Sequence, residues 1–295
     1  MDFKLELKKY MDLTNEELKK YIKTNEGPEK KLYEAMEYGL MVGGKRIRPT
    51  LMLATYKLFN ENYQKCFPFA IAMEMIHNFS LIHDDLPAID NDDLRRGNPT
   101  NHKKYGECTA ILAGDALLNN AYSVISEYLL QENNIDINLK LKAFNEFSLA
   151  VHNMIVGEYI DTEFEGKPIS NEYLEYIHNN KTGELIKASV RIGAILAKAP
   201  EEKLNDLTKY AEKIGLAFQI KDDILSVEGD INVFGKPIGN DEERGKCTYV
   251  TKYGLEKAKH ELDKITKEAV DIAKQFGEQG EFLKELAIYI STREK

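Results

Sequence analysis

The chain has 295 residues, 43% hydrophobic and 30% charged, which supplies a sizeable core and excludes a disordered or fibrous protein. Its 49 acidic residues against 40 basic ones give a net charge of −9, so a nucleic-acid partner is disfavoured and an anionic ligand needs local cations or metal ions. No apolar run reaches the roughly 18–20 residues of a membrane span, the first residues lack an apolar export signal, and the 3 scattered cysteines have no zinc-ligand spacing. These features point to a cytoplasmic protein with free thiols.

Helical periodicity dominates. Thr14 followed by Glu17 reads as a capping box that opens an amphipathic run over 17–22. Gly43-Gly44 interrupts the next helix, and Pro49 suits the first turn of another. An apolar segment extends from Phe67 to Leu86, and Pro87 ends or kinks it, because proline removes a donor and clashes with the preceding turn. Further helices are expected at about 107–131, 136–161, 171–198, 201–228, 254–276 and 281–292, with loops at 165–171, 199–200 and 229–246. Alternating runs closed by hairpin turns are hard to find. The expectation is an all-α, single-domain protein of ten or so helices spanning 1–295.

Two acidic clusters carry the chemistry. Asp84, Asp85, Asp90, Asp92 and Asp93 crowd the end of the apolar helix, where mutual repulsion and the helix dipole both oppose them. A hard divalent cation bound through oxygen would compensate. On an unbroken helix Asp84 and Asp90 face different ways, but a turn at Pro87 brings Asp90 back beside Asp84. The segment Gln219-Ile-Lys-Asp222-Asp223 repeats the pattern after a second apolar helical run, and Gln219 and Asp223 share a face. Two carboxylate sets facing each other across a helical cavity suit several Mg²⁺ ions, which would attract a diphosphate despite the net charge.

Basic elements accompany them. Lys45, Arg46 and Arg48 stand at a glycine turn before a helix start, where amide groups and the helix dipole favour an anion. Arg95 and Arg96 follow the first acidic cluster, Lys181-Thr182-Gly183 forms a third group, and Lys236 lies in the 229–246 loop. His77 stands two helical turns before Asp84 and shares its face.

These motifs, with Ala113-Gly-Asp-Ala-Leu117 and Gly245-Lys-Cys-Thr-Tyr249 in the same order, resemble the trans-type isoprenyl diphosphate synthases, the bacterial farnesyl diphosphate synthases above all, from about Leu32 to Tyr289. The resemblance implies a bundle of antiparallel helices around a deep cavity, usually a homodimer, that joins an allylic diphosphate to isopentenyl diphosphate. It implies that Asp84 and Asp90 hold two Mg²⁺ ions with Asp85 in support, and that Asp222 holds a third with Asp223 nearby. Arg95, Lys181, Thr182, Gln219 and Lys236 would contact the allylic diphosphate, and Lys45, Arg48, His77 and Arg96 the isopentenyl diphosphate. The family's second cluster usually reads Asp-Asp-x-x-Asp, whereas Ser226 stands at the third position here; Glu228 and Asp230 are the nearby acids. Bulky residues just before the first aspartate pair limit product length in this family, and those positions are Phe79 and Ser80. Phe79 as a floor favours a C15 product. Geranyl and geranylgeranyl diphosphate synthases carry nearly the same motifs. A class I terpene cyclase needs no counterpart of Lys45 and Arg48, and a non-catalytic partner subunit would be expected to lack aspartates of the first cluster.

Overall fold

In a computed structural model describing residues 1–22, 26–228 and 247–294, the first helix starts almost at the amino terminus. α1 (Phe3–Tyr21) is capped by Asp2, whose carboxylate accepts a hydrogen bond from the Leu5 amide at 3.1 Å. The expected capping box at Thr14 does not form. Thr14 lies inside α1 and its hydroxyl donates to the Tyr10 carbonyl at 2.7 Å. The buried stripe Leu7, Tyr10, Thr14 and Leu18 begins upstream of it, so packing extends the helix back to the Asp2 cap.

α2 (Lys30–Met41) stops before Gly43-Gly44, and α3 (Ile47–Lys57) restarts the chain with Pro49 in its first turn. α3 is buried on every face from Ile47 to Tyr56, the pattern of a helix at the centre of a protein. α4 (Phe67–Asp84) is nearly as buried and ends three residues before Pro87. Beyond it, Leu94–Arg95 and Asn98–Pro99 form a minimal antiparallel hairpin, which the sequence reading did not anticipate. α5 (Asn101–Tyr105), α6 (Glu107–Gln131) and α7 (Ile137–Glu163) follow.

The helix expected over 171–198 is interrupted. α8 (Asn171–Ile177) passes into a π-helical turn at His178–Gly183, and α9 (Glu184–Leu196) continues from there. α10 (Glu201–Glu228) runs two turns past Gln219, so Asp222 and Asp223 lie within the helix rather than at its end. α11 (Tyr249–Tyr253), α12 (Leu255–Lys274) and α13 (Glu281–Thr292) complete the described chain.

α3 packs against α4 and α9, α6 covers the other side of α4, and α7 and α10 flank α9. α12 and α13 close over α10. One hydrophobic cluster links Leu7 of α1 to Ile290 of α13 through all these contacts. The polar ends of α4 and α10 and the π-turn are therefore held by helices packed on several sides. Among the described residues, no helix is long and apolar enough to cross a membrane.

Candidate functional site

The site is built where α4 ends. Past Asp84 the chain turns through Pro87, and the Asp90 amide donates to the Asp84 carbonyl at 2.8 Å, so the turn returns Asp90 to Asp84. Asp85 points the other way. It is 3% exposed and takes a forked interaction from Arg95: Nε donates to Oδ1 and Oδ2 at 2.9 and 2.8 Å, and Nη2 to Oδ1 at 2.6 Å. Asp85 thus orients Arg95, while Asp84 and Asp90 stay together at the end of α4.

Across from Asp84 stands Lys181 on the π-turn. Its ammonium pairs with Glu158 at 2.8 Å and Asp161 at 2.6 Å, both one turn apart on α7. Burial alone would lower this ammonium, but Glu158 and Asp161, with Asp84 next, hold it well above its ordinary value. Asp84 shows the opposite strain. Burial first, and then the nearby Glu158, lift its carboxyl to about 7 against the pull of Lys181 and Arg95. Among the described residues the Asp84 side chain makes no hydrogen bond. A buried, undercompensated carboxylate beside other carboxylates is a donor set that suits Mg²⁺, a hard cation preferring oxygen. Among the described residues no three His, Cys, Asp or Glu side chains form a closed metal cage. The carboxylates instead approach the cavity from separate helices.

The second cluster meets this cavity from α10. The Thr182 hydroxyl donates to Gln219 Oε1 at 2.9 Å, and Gln219 Nε2 donates to Asp223 Oδ1 at 2.9 Å. Asp223, 3% exposed, also accepts the Tyr249 amide at 2.7 Å, which ties α10 to the start of α11. A cavity of about 120 Å³ is lined by Asp161, His178, Lys181, Gln219, Asp223 and Thr248. Asp222 accepts from Arg293 at 2.7 Å, and that guanidinium also donates to the Phe218 carbonyl and lies 4.0 Å over the Phe218 ring. The Ser226 hydroxyl donates to the Asp223 carbonyl at 2.8 Å, and Glu228 pairs with Lys259 at 2.7 Å. Neither side chain takes the place of a third carboxylate. Lys236 and Asp230 lie outside the described residues.

A cationic pocket surrounds His77, two turns before Asp84 along α4. Arg48 is buried at 9% exposure, its Nε has no hydrogen-bond partner among the described residues, and burial lowers it to about 10 despite Glu74 and Asp222. His77 is held well below its ordinary value by burial and by Arg48, Arg96, Arg95 and Arg46, so the ring is neutral. Arg96 reaches back to donate to the Gly43 carbonyl, and Lys45 is partly buried beside it in the same turn. This crowd of guanidinium groups, one with an unpartnered buried nitrogen, suits a multivalent anion.

The two halves share one field: Lys181 faces Asp84 while lining the Gln219–Asp223 cavity, and Arg48 feels Asp222. The sequence reading missed Glu158 and Asp161, which nothing in a helical acid pair advertises; the one available signal is Gly157 immediately before them. It also missed His178, buried at 6% exposure with an unpartnered Nδ1 in the same cavity. Phe79 is buried with its ring centroid 4.9 Å from that of His83 in an edge-to-face arrangement, and the Ser80 hydroxyl donates to the His77 carbonyl at 2.9 Å.

A family model described as polyprenyl synthetase matches residues 29–288. The chain belongs to the polyprenyl synthetase family. It is 45% identical over 247 residues to a protein named farnesyl diphosphate synthase from Geobacillus stearothermophilus, covering 83% of this chain and 82% of the relative. It is 42% identical over 301 residues to the one from Escherichia coli (strain K12), covering 100% of both. A solved apo structure titled FPP/GFPP synthase, from Zymomonas mobilis, matches with a TM-score of 0.87 at 32% identity, covering 99% of each chain.

Two outcomes are expected from this geometry. A Cβ on Gly157 would overlap the backbone nitrogen of Lys181. Gly157→Ala therefore displaces the π-turn, lowering thermal stability by about 1–3 kcal/mol and cutting kcat/KM for prenyl transfer by roughly 10-fold or more, read by calorimetry and steady-state kinetics. The second concerns pH. A carboxyl at about 7 in the folded chain against 3.8 unfolded binds its proton more tightly when folded. Its favourable contribution is complete below pH 3.8 and is lost as pH rises to 7. In chelator, Asp84→Asn should melt above the parent protein at pH 8, and the difference should vanish near pH 4. Differential scanning calorimetry across that range checks it.

Proposed function

We propose that the protein is a Mg²⁺-dependent, cytoplasmic farnesyl diphosphate synthase. It condenses isopentenyl diphosphate with dimethylallyl and then geranyl diphosphate, giving (2E,6E)-farnesyl diphosphate and diphosphate. The observation that carries this reading is the meeting of two differently built anion sites at the end of one helix. One, around Asp84, Lys181 and Gln219, mixes carboxylates with a cation and suits a metal-bound diphosphate. The other, around Arg48, Arg96 and His77, is cationic and suits a diphosphate without metal. A terpene cyclase has no use for the second site.

On this reading Asp84, Asp90 and Asp222 supply oxygen ligands for three Mg²⁺ ions. Asp85 and Asp223 act one step back, through Arg95 and through Gln219 and Tyr249. Mg²⁺ held by these residues would neutralise the charge growing on the departing diphosphate. Arg95, Lys181, Thr182, Gln219 and Lys236 grip the allylic diphosphate, while Lys45, Arg48, His77 and Arg96 hold the isopentenyl diphosphate. The allylic C–O bond breaks and its electron pair leaves with diphosphate. The double bond of isopentenyl diphosphate then forms the new C–C bond, and the proton lost passes to the released diphosphate. Apolar walls, Phe79 among them, exclude water from the cation, and the Phe79 ring sets the floor that limits the chain to C15. Incubation of the purified protein with labelled isopentenyl diphosphate and dimethylallyl diphosphate should give C15 alcohol after dephosphorylation. Chelation should lower the rate by at least roughly 100-fold, and Phe79→Ala should move product toward C20. An unchanged product profile removes Phe79 from this role.

The proposed assembly is a homodimer. Leu112 of α6 and Leu141, Leu149, Ile155 and Tyr159 of α7 are exposed, and Leu141, Ile155 and Tyr159 fall on one side of α7. An apolar patch of this kind marks a protein interface, and a second copy of the same stripe is its self-complementary occupant. Light scattering should give a dimer mass, and Leu149→Glu with Ile155→Glu should give a monomer.

A further inference from the structure

Arg46 stands among the cations of the 43–49 turn but does not face the cationic pocket with a free charge. Its Nη1 donates to Glu74 Oε1 at 2.6 Å, and both side chains are 2% exposed. Nε donates to Asn15 Oδ1 at 2.9 Å on α1, and Nη2 to the Leu40 carbonyl at 2.5 Å in the last turn of α2. Asn78 braces Glu74 from one turn along α4. The guanidinium thus joins α1, α2 and α4 from inside the protein.

The backbone at Arg46 is left-handed, φ 50° and ψ 37°, an uncommon conformation for a residue with a Cβ. It follows Gly43 and Gly44, also at positive φ, and it caps α3 directly before Arg48. A tolerated strain of this kind persists only where surrounding contacts over-determine it, and the three-way grip on the Arg46 side chain does so. A buried ion pair is a poor source of net stability, and its best-attested use is to select one geometry.

We infer that the Arg46–Glu74 pair is a positioning device for the isopentenyl diphosphate pocket. It fixes the left-handed turn that aims Lys45 and Arg48, and it anchors that turn to α4, the helix that carries His77 and Asp84. The distance between the cationic pocket and the metal end of the site is thereby set along one rigid helix. This inference rests on the functional reading above.

The test is steady-state kinetics with both substrates at saturating Mg²⁺. The double variant Arg46→Met with Glu74→Leu removes both charges together and leaves no unpaired one. KM for isopentenyl diphosphate should rise roughly 10-fold or more, while kcat and KM for geranyl diphosphate stay within about 3-fold. Arg46→Lys keeps the charge but not the three-way fork, and it should show the same split if the double variant fails to fold. A lowered melting temperature with all three constants unchanged, or a parallel loss in all three, overturns the inference. Arg48→Gln separates the two levels. If it leaves KM for isopentenyl diphosphate unchanged, the pocket assignment itself fails. If it raises that KM and the Arg46 variants do not, only the positioning role fails.

Discussion

Carboxylates placed where burial penalises charge are the constraint around which the molecule is organised. Asp84 sits at the end of an apolar helix, opposite Glu158, with too few cations nearby to settle it as an anion. Lys181 does not relieve this fully, because Glu158 and Asp161 already occupy it. The protein alone thus leaves a deficit of positive charge that hard cations would fill. The fold's task is to keep that deficit in place against the ordinary remedies of rotating the acids into water or pairing them off.

Two pieces of local geometry do this. The Pro87 turn joins Asp90 to Asp84 by a backbone bond, so the pair cannot drift apart without breaking the end of α4. The π-turn at His178–Gly183 presents Lys181 and Thr182 side by side, and Gly157 of α7 and Gly215 of α10 let the flanking helices close on it. Insertions of this type inside helices frequently mark functional sites.

The helical framework was largely legible because periodic apolar residues and proline or glycine breaks are local signals. Asp84, Asp90 and Asp222 could be singled out for the same reason: acidic pairs ending apolar helical runs conflict with local preference, whereas the roles of Arg95 and Lys181 came from the family resemblance. Other features were out of reach. Whether Asp85 faces a metal or Arg95 depends on the hairpin after residue 93. The role of Arg46 depends on Glu74, Asn15 and Leu40, which are far from it in sequence. The capping box at Thr14 failed because it was a valid local signal overridden by packing along α1. Glu158 and Asp161 were not singled out, since the Lys181 that pairs with them lies on another segment.

The guanidinium groups around His77 have a consequence for how the protein behaves in any solvent. Arg95 and Arg46 are balanced by Asp85 and Glu74, whereas Arg48 keeps an unmatched buried nitrogen. A multivalent counter-ion that settles there binds the native chain and not the unfolded one, so folding equilibrium and dissolved anion are thermodynamically linked. On the proposed reading, phosphate or sulfate in a storage buffer would act as a preservative and a competitive inhibitor through the same contacts.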